Sequence, residues 1–251
     1  MGLNIPDTRQ RNLQQRLAAG AHIVAAEIAE EFGISIDTAR RDLIALERAG
    51  QAHRVRGGAV PILHPAEPMQ EKILACKTPP RAMVHAALDV VAGCKTLILD
   101  GGSTVLALAR ALQPAADLLV VTPSPWAALA CLQNGVEVHM LGGRLSARGG
   151  INVGAECEEQ LAGIAAEVAV IGVCGLDDEF GVSSDDCGEA RVKKAMAQAA
   201  TRRLVLADAQ KIGTRARHRT LVPAAVSHLI TDAMPRACDG FRAQGIEITH
   251  V

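Results

Sequence analysis

Aromatic side chains are scarce in this chain of 251 residues: three Phe, one Trp and no Tyr. Unpaired bases bind by stacking on aromatic platforms, so single-stranded nucleic acid is a poor target for it. The core has to be assembled from Ala, Val, Leu and Ile. Cysteines at 76, 94, 131, 157, 174, 187 and 238 are scattered, with no CxxC pair. That pattern speaks for small buried thiols in a reducing compartment, against a zinc site or a disulfide framework. No apolar run approaches a membrane span and no signal-type segment opens the chain, which is therefore read as cytoplasmic with no membrane partner. Phosphate-binding GxxxxGK[ST], a GxGxxG after the first strand and metal-binding HExxH are missing too, and the histidines are dispersed. Neither a metal, a cofactor nor a catalytic residue is expected.

Charge of one sign is also lacking, because the formal net charge is −1. Residues 1–60 carry eight Arg and no Lys against seven acids. Any case for duplex DNA therefore depends on where the arginines sit. They cluster at 40–41 and 54–56, while the acids crowd 27–31. Three helices are predicted: 6–19 with Leu13 and Leu17 inward, 24–32 with Ile28 and Phe32 on one face, and a third opening at Ser35. Ser35 is a good N-cap, and Ala39, Leu43 and Leu46 recur at helical spacing. With that stripe inward, Asp37, Thr38, Arg40 and Arg41 face out, and Asp42 is expected to pair locally with an arginine. Helix, glycine-containing turn and second helix form the helix-turn-helix plan, whose second helix reads the major groove. Residues 51–60 can make two short strands around a turn, a wing carrying Arg54 and Arg56.

Prolines at 61, 65, 68, 79 and 80 mark 61–82 as a linker with room for one short helix. From 83 to 251 apolar runs alternate with helical stretches. Strands are expected at 96–100, 118–122, 137–141, 168–173, 203–207 and 228–231, and helices at 81–92, 103–112, 124–134, 155–163 and 188–201. This is the signature of a doubly wound α/β domain, whose ligands bind beyond the carboxyl ends of the strands. Five such ends carry glycine or polar residues: Asp100-Gly-Gly-Ser-Thr104, Thr122-Pro-Ser124, Gly142-Gly-Arg144, Gly172-Val-Cys-Gly175 and Asp208-Ala-Gln-Lys211. Glycines admit backbone N–H groups to an anion, and a helix N-terminus favours negative charge. A small anionic ligand is the reading that joins them.

Taken together and in order, these motifs resemble the DeoR/GlpR family of bacterial transcriptional regulators over essentially the whole chain. The resemblance is carried by Ile34-Ser-Ile-Asp-Thr-Ala-Arg-Arg-Asp-Leu43, Arg54-Val-Arg-Gly-Gly-Ala-Val60, Leu99-Asp-Gly-Gly-Ser-Thr104, Val120-Val-Thr122, Leu141-Gly-Gly143, Asp208-Ala-Gln-Lys211 and Ile230-Thr-Asp232. It implies a winged helix-turn-helix, then a sensor with the fold of sugar-phosphate isomerases and aminosugar-phosphate deaminases. It implies an operator contacted by Ser35, Asp37, Thr38, Arg40, Arg41, Arg54 and Arg56. It also implies an effector met by Asp100, Gly101, Gly102, Ser103, Thr104, Thr122, Gly142, Gly143, Gly175 and Lys211, with Glu189 and Lys193 within reach. The chain departs from the family in having Ser103 before Thr104, Pro123 after Thr122 and Ile212 after the lysine.

The function implied is a repressor of a sugar-catabolism operon, relieved by a phosphorylated sugar, bound to double-stranded DNA as a homodimer or homotetramer and not an enzyme. The alternative is a sugar-phosphate isomerase or deaminase with an accessory helical domain, using Asp100, Asp186 or Glu189 as base. A purely structural adaptor leaves the row of polar strand ends without a purpose.

Overall fold

The computed structural model describes residues 6–18, 21, 23–49, 51–55, 57–61, 68–75 and 78–251. Arg56, one of the two wing arginines, lies outside these residues. The chain divides into two compact units, Met1–His64 and Pro65–Val251.

In the first unit, helix α1 (Pro6–Ala18) precedes a short strand β1 (Ile23–Val24), then α2 (Ala25–Glu31) and α3 (Ile36–Arg48). The hairpin β2 (Ala52–Val55) and β3 (Gly58–Pro61) follows. Leu13, Leu17, Ile28, Ala39, Leu43 and Leu46 meet in one apolar cluster, which is the inward stripe of all three helices. The hairpin register sets Val55 opposite Gly58, with Gly57 at the tip of the wing. Sequence periodicity is silent about β1, which is too short to show alternation. It pairs antiparallel with β3, placing Ile23 opposite Ala59, both buried.

The second unit runs α4 (Met69–Leu74), α5 (Arg81–Val91), β4 (Thr96–Leu99), α6 (Ser103–Ala111), β5 (Leu119–Thr122), α7 (Pro125–Gln133) and β6 (Glu137–Met140). It continues with β7 (Arg144–Leu145), β8 (Asn152–Val153), α8 (Ala155–Ala162), β9 (Ala166–Gly172), β10 (Gly175–Asp177), β11 (Gly181–Ser184) and α9 (Cys187–Gln198). The last elements are β12 (Ala200–Leu206), β13 (His218–Leu221), β14 (His228–Thr231), α10 (Asp239–Ala243) and β15 (Glu247–His250).

Seven strands form one sheet in the order β15-β14-β12-β9-β4-β5-β6, every pairing parallel. Successive residues alternate between two buried faces. Leu97, Leu99, Val120, Val168, Val170, Leu204 and Ile230 pack with α5, α6 and α7. Ile98, Val121, Ala169, Ile171, Val205 and Leu229 pack with α8, α9 and α10. Burial on both faces explains why these strands read as continuous apolar runs. The chain winds outward from β4 in one direction and from β9 in the other. The two strands are neighbours, so the sheet has a switch point between them, where such sheets leave a crevice.

Three features differ from the sequence reading. The helix expected to run through residue 201 ends at Gln198, and Ala200 already belongs to β12 beside Ala166. Ala-rich sequence does not distinguish a helix end from a buried strand start. A seventh strand, β15, a small antiparallel sheet of β10, β11 and β13, the β7–β8 pair and the short helix α10 were not expected; their segments are short and carry no helical or alternating signal of their own. Within the stretch read as linker, Met69 is buried in the layer that holds α5 to α7.

Candidate functional site

Helix α3 is held at its start by Ser35, whose hydroxyl accepts the Thr38 N–H at 3.1 Å. The cap orients the first turn, and the side-chain hydroxyls of Ser35 and Thr38 lie 2.9 Å apart. Asp37, Arg40 and Arg41 are exposed. Arg40 reaches Asp37 at 3.3 Å, a solvent-exposed pair of little strength. Arg41 has no ion-pair partner among the described residues. Arg54 in the wing lies 3.7 Å from Glu47 of α3, which ties the wing to the helix. Asp42 does pair with an arginine, but not a local one. It is buried and takes Arg9 of α1 at 2.5 Å, a contact 33 residues distant that locks α1 onto the back of α3. The exposed side of α3 thus carries Arg40, Arg41 and Arg48 against Asp37 and Glu47, while its one buried acid is neutralised from behind.

At the switch point of the sheet an open cleft of about 720 Å³, counting the space open to solvent, lies beyond β4, β9 and β12. Asp100 follows β4 directly and is fully buried. Its Oδ2 accepts the Gly172 N–H at 2.9 Å and pairs with Lys193 Nζ at 2.6 Å, while its Oδ1 has no partner. Lys193 Nζ also donates to the Gly172 carbonyl at 2.7 Å. Burial works against the Lys193 charge, but Asp100, Cys174 and Glu189 outweigh it and raise its pKa above the ordinary lysine value. Gly102, at φ +96°, turns the chain into α6, and no side chain caps that helix. The N–H groups of its first turn, with the Ser103 and Thr104 hydroxyls, border the cleft and favour an anion there. Lys211 and Arg148 border it as well, and neither has an ion-pair partner among the described residues. An uncapped helix start and two cations without ion-pair partners border the same cleft, an arrangement whose electrostatics favour an anion.

Each unit matches a known family model. Residues 9–63 match the DeoR-like helix-turn-helix domain and residues 80–233 the DeoR C terminal sensor domain. The chain belongs to the DeoR family of transcriptional regulators. A putative aga operon transcriptional repressor of Escherichia coli O157:H7 is 28% identical, across 96% of this chain and 92% of its own. The HTH-type transcriptional repressor GlcR of Bacillus subtilis is 30% identical, across 90% and 89%. Among solved structures, a D-ribose-5-phosphate isomerase in complex with phospho-erythronic acid aligns over 51% of each chain at 19% identity, with a TM-score of 0.39. A likeness of that size decides nothing about chemistry.

The structure gathers eight of the twelve effector residues that the DeoR-family resemblance implies: Asp100, Gly101, Gly102, Ser103, Thr104, Glu189, Lys193 and Lys211 all border the cleft. Thr122, Gly142, Gly143 and Gly175 do not. Thr122 is buried, its hydroxyl donating to the Leu99 carbonyl at 2.6 Å and accepting the Ser124 N–H at 3.1 Å. The proline that follows it has a carbonyl that accepts the Asn152 N–H at 2.7 Å, so that loop is structural. Gly142 donates its N–H to Gln160. Gly143 and Gly175 are glycine because a Cβ would press on the carbonyls of Val153 and Thr214, at 2.8 and 2.6 Å. Gly142 and Gly143 follow β6, away from the switch point, whereas Gly175 lies in the loop after β9 and opens β10.

Sequence reasoning missed two contributors, α4, through Met69 and Lys72, and the loop that supplies Arg148, Gly149 and Ile151. The Arg148-Gly-Gly150 run was the available signal. It follows no long strand, so the rule of looking beyond strand ends passes over it. Among the described residues no grouping of His, Cys, Asp or Glu could hold a metal ion. The thiols of Cys131 and Cys157 are pushed up to about 11 by burial, which keeps them protonated and inert.

Proposed function

We propose that this chain represses a carbohydrate-catabolism operon by holding double-stranded operator DNA and lets go when a phosphorylated sugar fills the cleft. The observation that carries this reading is the outward face of α3. It presents Arg40 and Arg41 to solvent on an N-capped helix, where guanidinium groups reach phosphates and guanine edges. Ser35, Asp37 and Thr38 belong to the same face, and Arg54 and Arg56 would add the wing's contacts. In the cleft, the first turn of α6 and Lys211 would receive phosphate, and the unpartnered Asp100 Oδ1 would accept from a sugar hydroxyl. Repression is relieved only if the ligand prefers a state with weaker DNA affinity. The names of the two repressors above, one of them an aga operon repressor, support the direction of regulation.

One α3 reads one half-site, so a homodimer or homotetramer is the working form, acting in the cytoplasm where the DNA is. In the rival enzyme reading, each of the three candidate bases is engaged by a neighbour. Asp100 is held by Lys193, Asp186 caps α9 by accepting the Glu189 N–H, and Glu189 accepts from Ser146 and Gly149. Replacing Arg41 with Ala is expected to weaken operator binding by roughly tenfold or more in a gel shift, and to leave ligand-induced thermal stabilisation intact. Unchanged DNA affinity would remove Arg41 from the scheme, and steady turnover of ribose or glucosamine phosphates would replace it with the enzyme reading.

A further inference from the structure

We propose that Arg148 takes part in receiving the effector's anionic group and that its loop, 146–150, relays the event to α4, the first helix after the interdomain segment. This rests on the reading of the cleft as an effector site, and it assigns a binding residue and a transmission route to that site.

The loop hangs between two anchors. On one side the Glu189 carboxylate accepts the Ser146 hydroxyl at 2.7 Å and the Gly149 N–H at 2.8 Å. A Cβ at position 149 would run into that carboxylate and force it to shift. On the other side the Arg148 carbonyl accepts the Met69 N–H at 2.8 Å. Gly150, in the left-handed region at φ +65°, packs directly against the Met69 side chain. Between the anchors the Arg148 side chain is exposed at the cleft, with no ion-pair partner among the described residues.

Lys193 differs in kind from Arg148 and Lys211. Lys193 is neutralised by Asp100 and fixed on the sheet floor. Arg148 is uncommitted and sits on a short loop, and a guanidinium presents two parallel donors to a phosphate. Drawing that group toward an anion displaces its own carbonyl, which is the acceptor for α4. Met69 is 2% exposed and wedged into the apolar layer, so the start of α4 must answer a shift of the loop. In sequence, only residues 62–67 separate that region from the β3 strand of the wing, apart from Pro68. Glu189 is then a positioning residue that sets the resting place of the loop.

The chain carries its own reporter. Its one tryptophan, Trp126, has Nε1 3.3 Å from where a Cβ on Gly150 would stand, and it is not among the residues that border the cleft. The test uses the full chain with ribose 5-phosphate, glucose 6-phosphate and inorganic phosphate as probes. Calorimetry gives affinity, Trp126 emission reads the loop, and a gel shift on the protein's own promoter reads DNA release. Binding of a probe is expected to change Trp126 emission. Arg148→Ala is expected to bind that probe roughly tenfold or more weakly, with Arg148→Lys between the two. Met69→Ala alters a residue that borders the cleft, so it is compared at probe concentrations that saturate it, where it is expected to lose most of the probe's effect on DNA affinity. Wild-type affinity in Arg148→Ala, unchanged emission on binding, or full DNA release in Met69→Ala overturns the proposal. The Arg148 variants alter an exposed, unpaired side chain, so their outcome decides the proposal even if Met69→Ala does not fold. An unaltered chain that binds none of the probes brings down the effector reading and the relay together. A chain that binds but ignores Arg148 brings down the relay alone.

Discussion

The outward face of α3 and the floor of the cleft both concentrate cations, and they treat them in opposite ways. On α3 the arginines stand in water, held by one capping serine and a weak exposed pair with Asp37. In the cleft Lys193 is buried and tied to Asp100 and to the Gly172 carbonyl. An exposed charge contributes little to folding and is free to act on a partner. A buried pair is weak evidence of net stabilisation, yet breaking it leaves an uncompensated charge in a poor dielectric. One region should be tunable without harm to the fold, and the other should not.

The sharpest way to break this contrast is Asp100→Ala. It strands Lys193, and a loss of about 3–5 kcal/mol is expected in urea unfolding. Pairing Asp100→Leu with Lys193→Met should recover most of that loss, because no lone charge remains. If Asp100→Ala unfolds at the wild-type midpoint, the floor of the cleft is no more constrained than α3.

The DNA-binding unit has its own buried pair, and that pair limits the contrast. Asp42→Ala removes the buried carboxylate that pairs with Arg9, and a loss of about 3 kcal/mol is expected, with operator binding failing through unfolding rather than through a missing contact. Circular dichroism of the isolated change would tell the two apart. Native helicity together with lost binding would put Asp42 at the DNA after all.

Smaller still is Ser35→Ala, which removes the α3 cap at a cost of about 1 kcal/mol, read as a shift in the urea midpoint. A change within experimental scatter would mean that packing alone sets the helix start.

The smallest effect is one of pH. Lys193 has its folded pKa raised, so its pair contributes in full below the ordinary lysine value and weakens only as pH rises through the folded one. The urea midpoint difference between the native chain and Lys193→Met should therefore stay flat from neutral to mildly alkaline pH. A difference that collapses near neutrality would show Lys193 to be uncharged in the folded protein.

Much of this was legible in the chain itself. Leu43 and Leu46 at helical spacing, with Ser35 before them, define which side of α3 faces out, and the structure keeps that assignment. The apolar runs ending in Asp100, Gly172 and Asp208 are the strands that meet at the switch point or beside it. The runs ending at Thr122 and Gly142 look equivalent on paper. They belong to β5 and β6, farther along the sheet, and nothing local records strand order. The Arg148 loop was missed for the converse reason: its place at the cleft depends on Glu189 and Met69, which are remote in sequence.

Periodicity, capping and glycine placement act over a few residues, and for that reason the amino-acid order alone determined the longer helices, six of the seven strands of the main sheet, the wing and the side of α3 that carries Arg40 and Arg41 outward. Which strand ends converge, which acid neutralises which base, and which loop closes on the cleft are decided by contacts between distant segments. Those contacts exist only once burial has ranked the alternatives, because the cost of an unpaired charge or a misplaced Cβ is set by the packed interior.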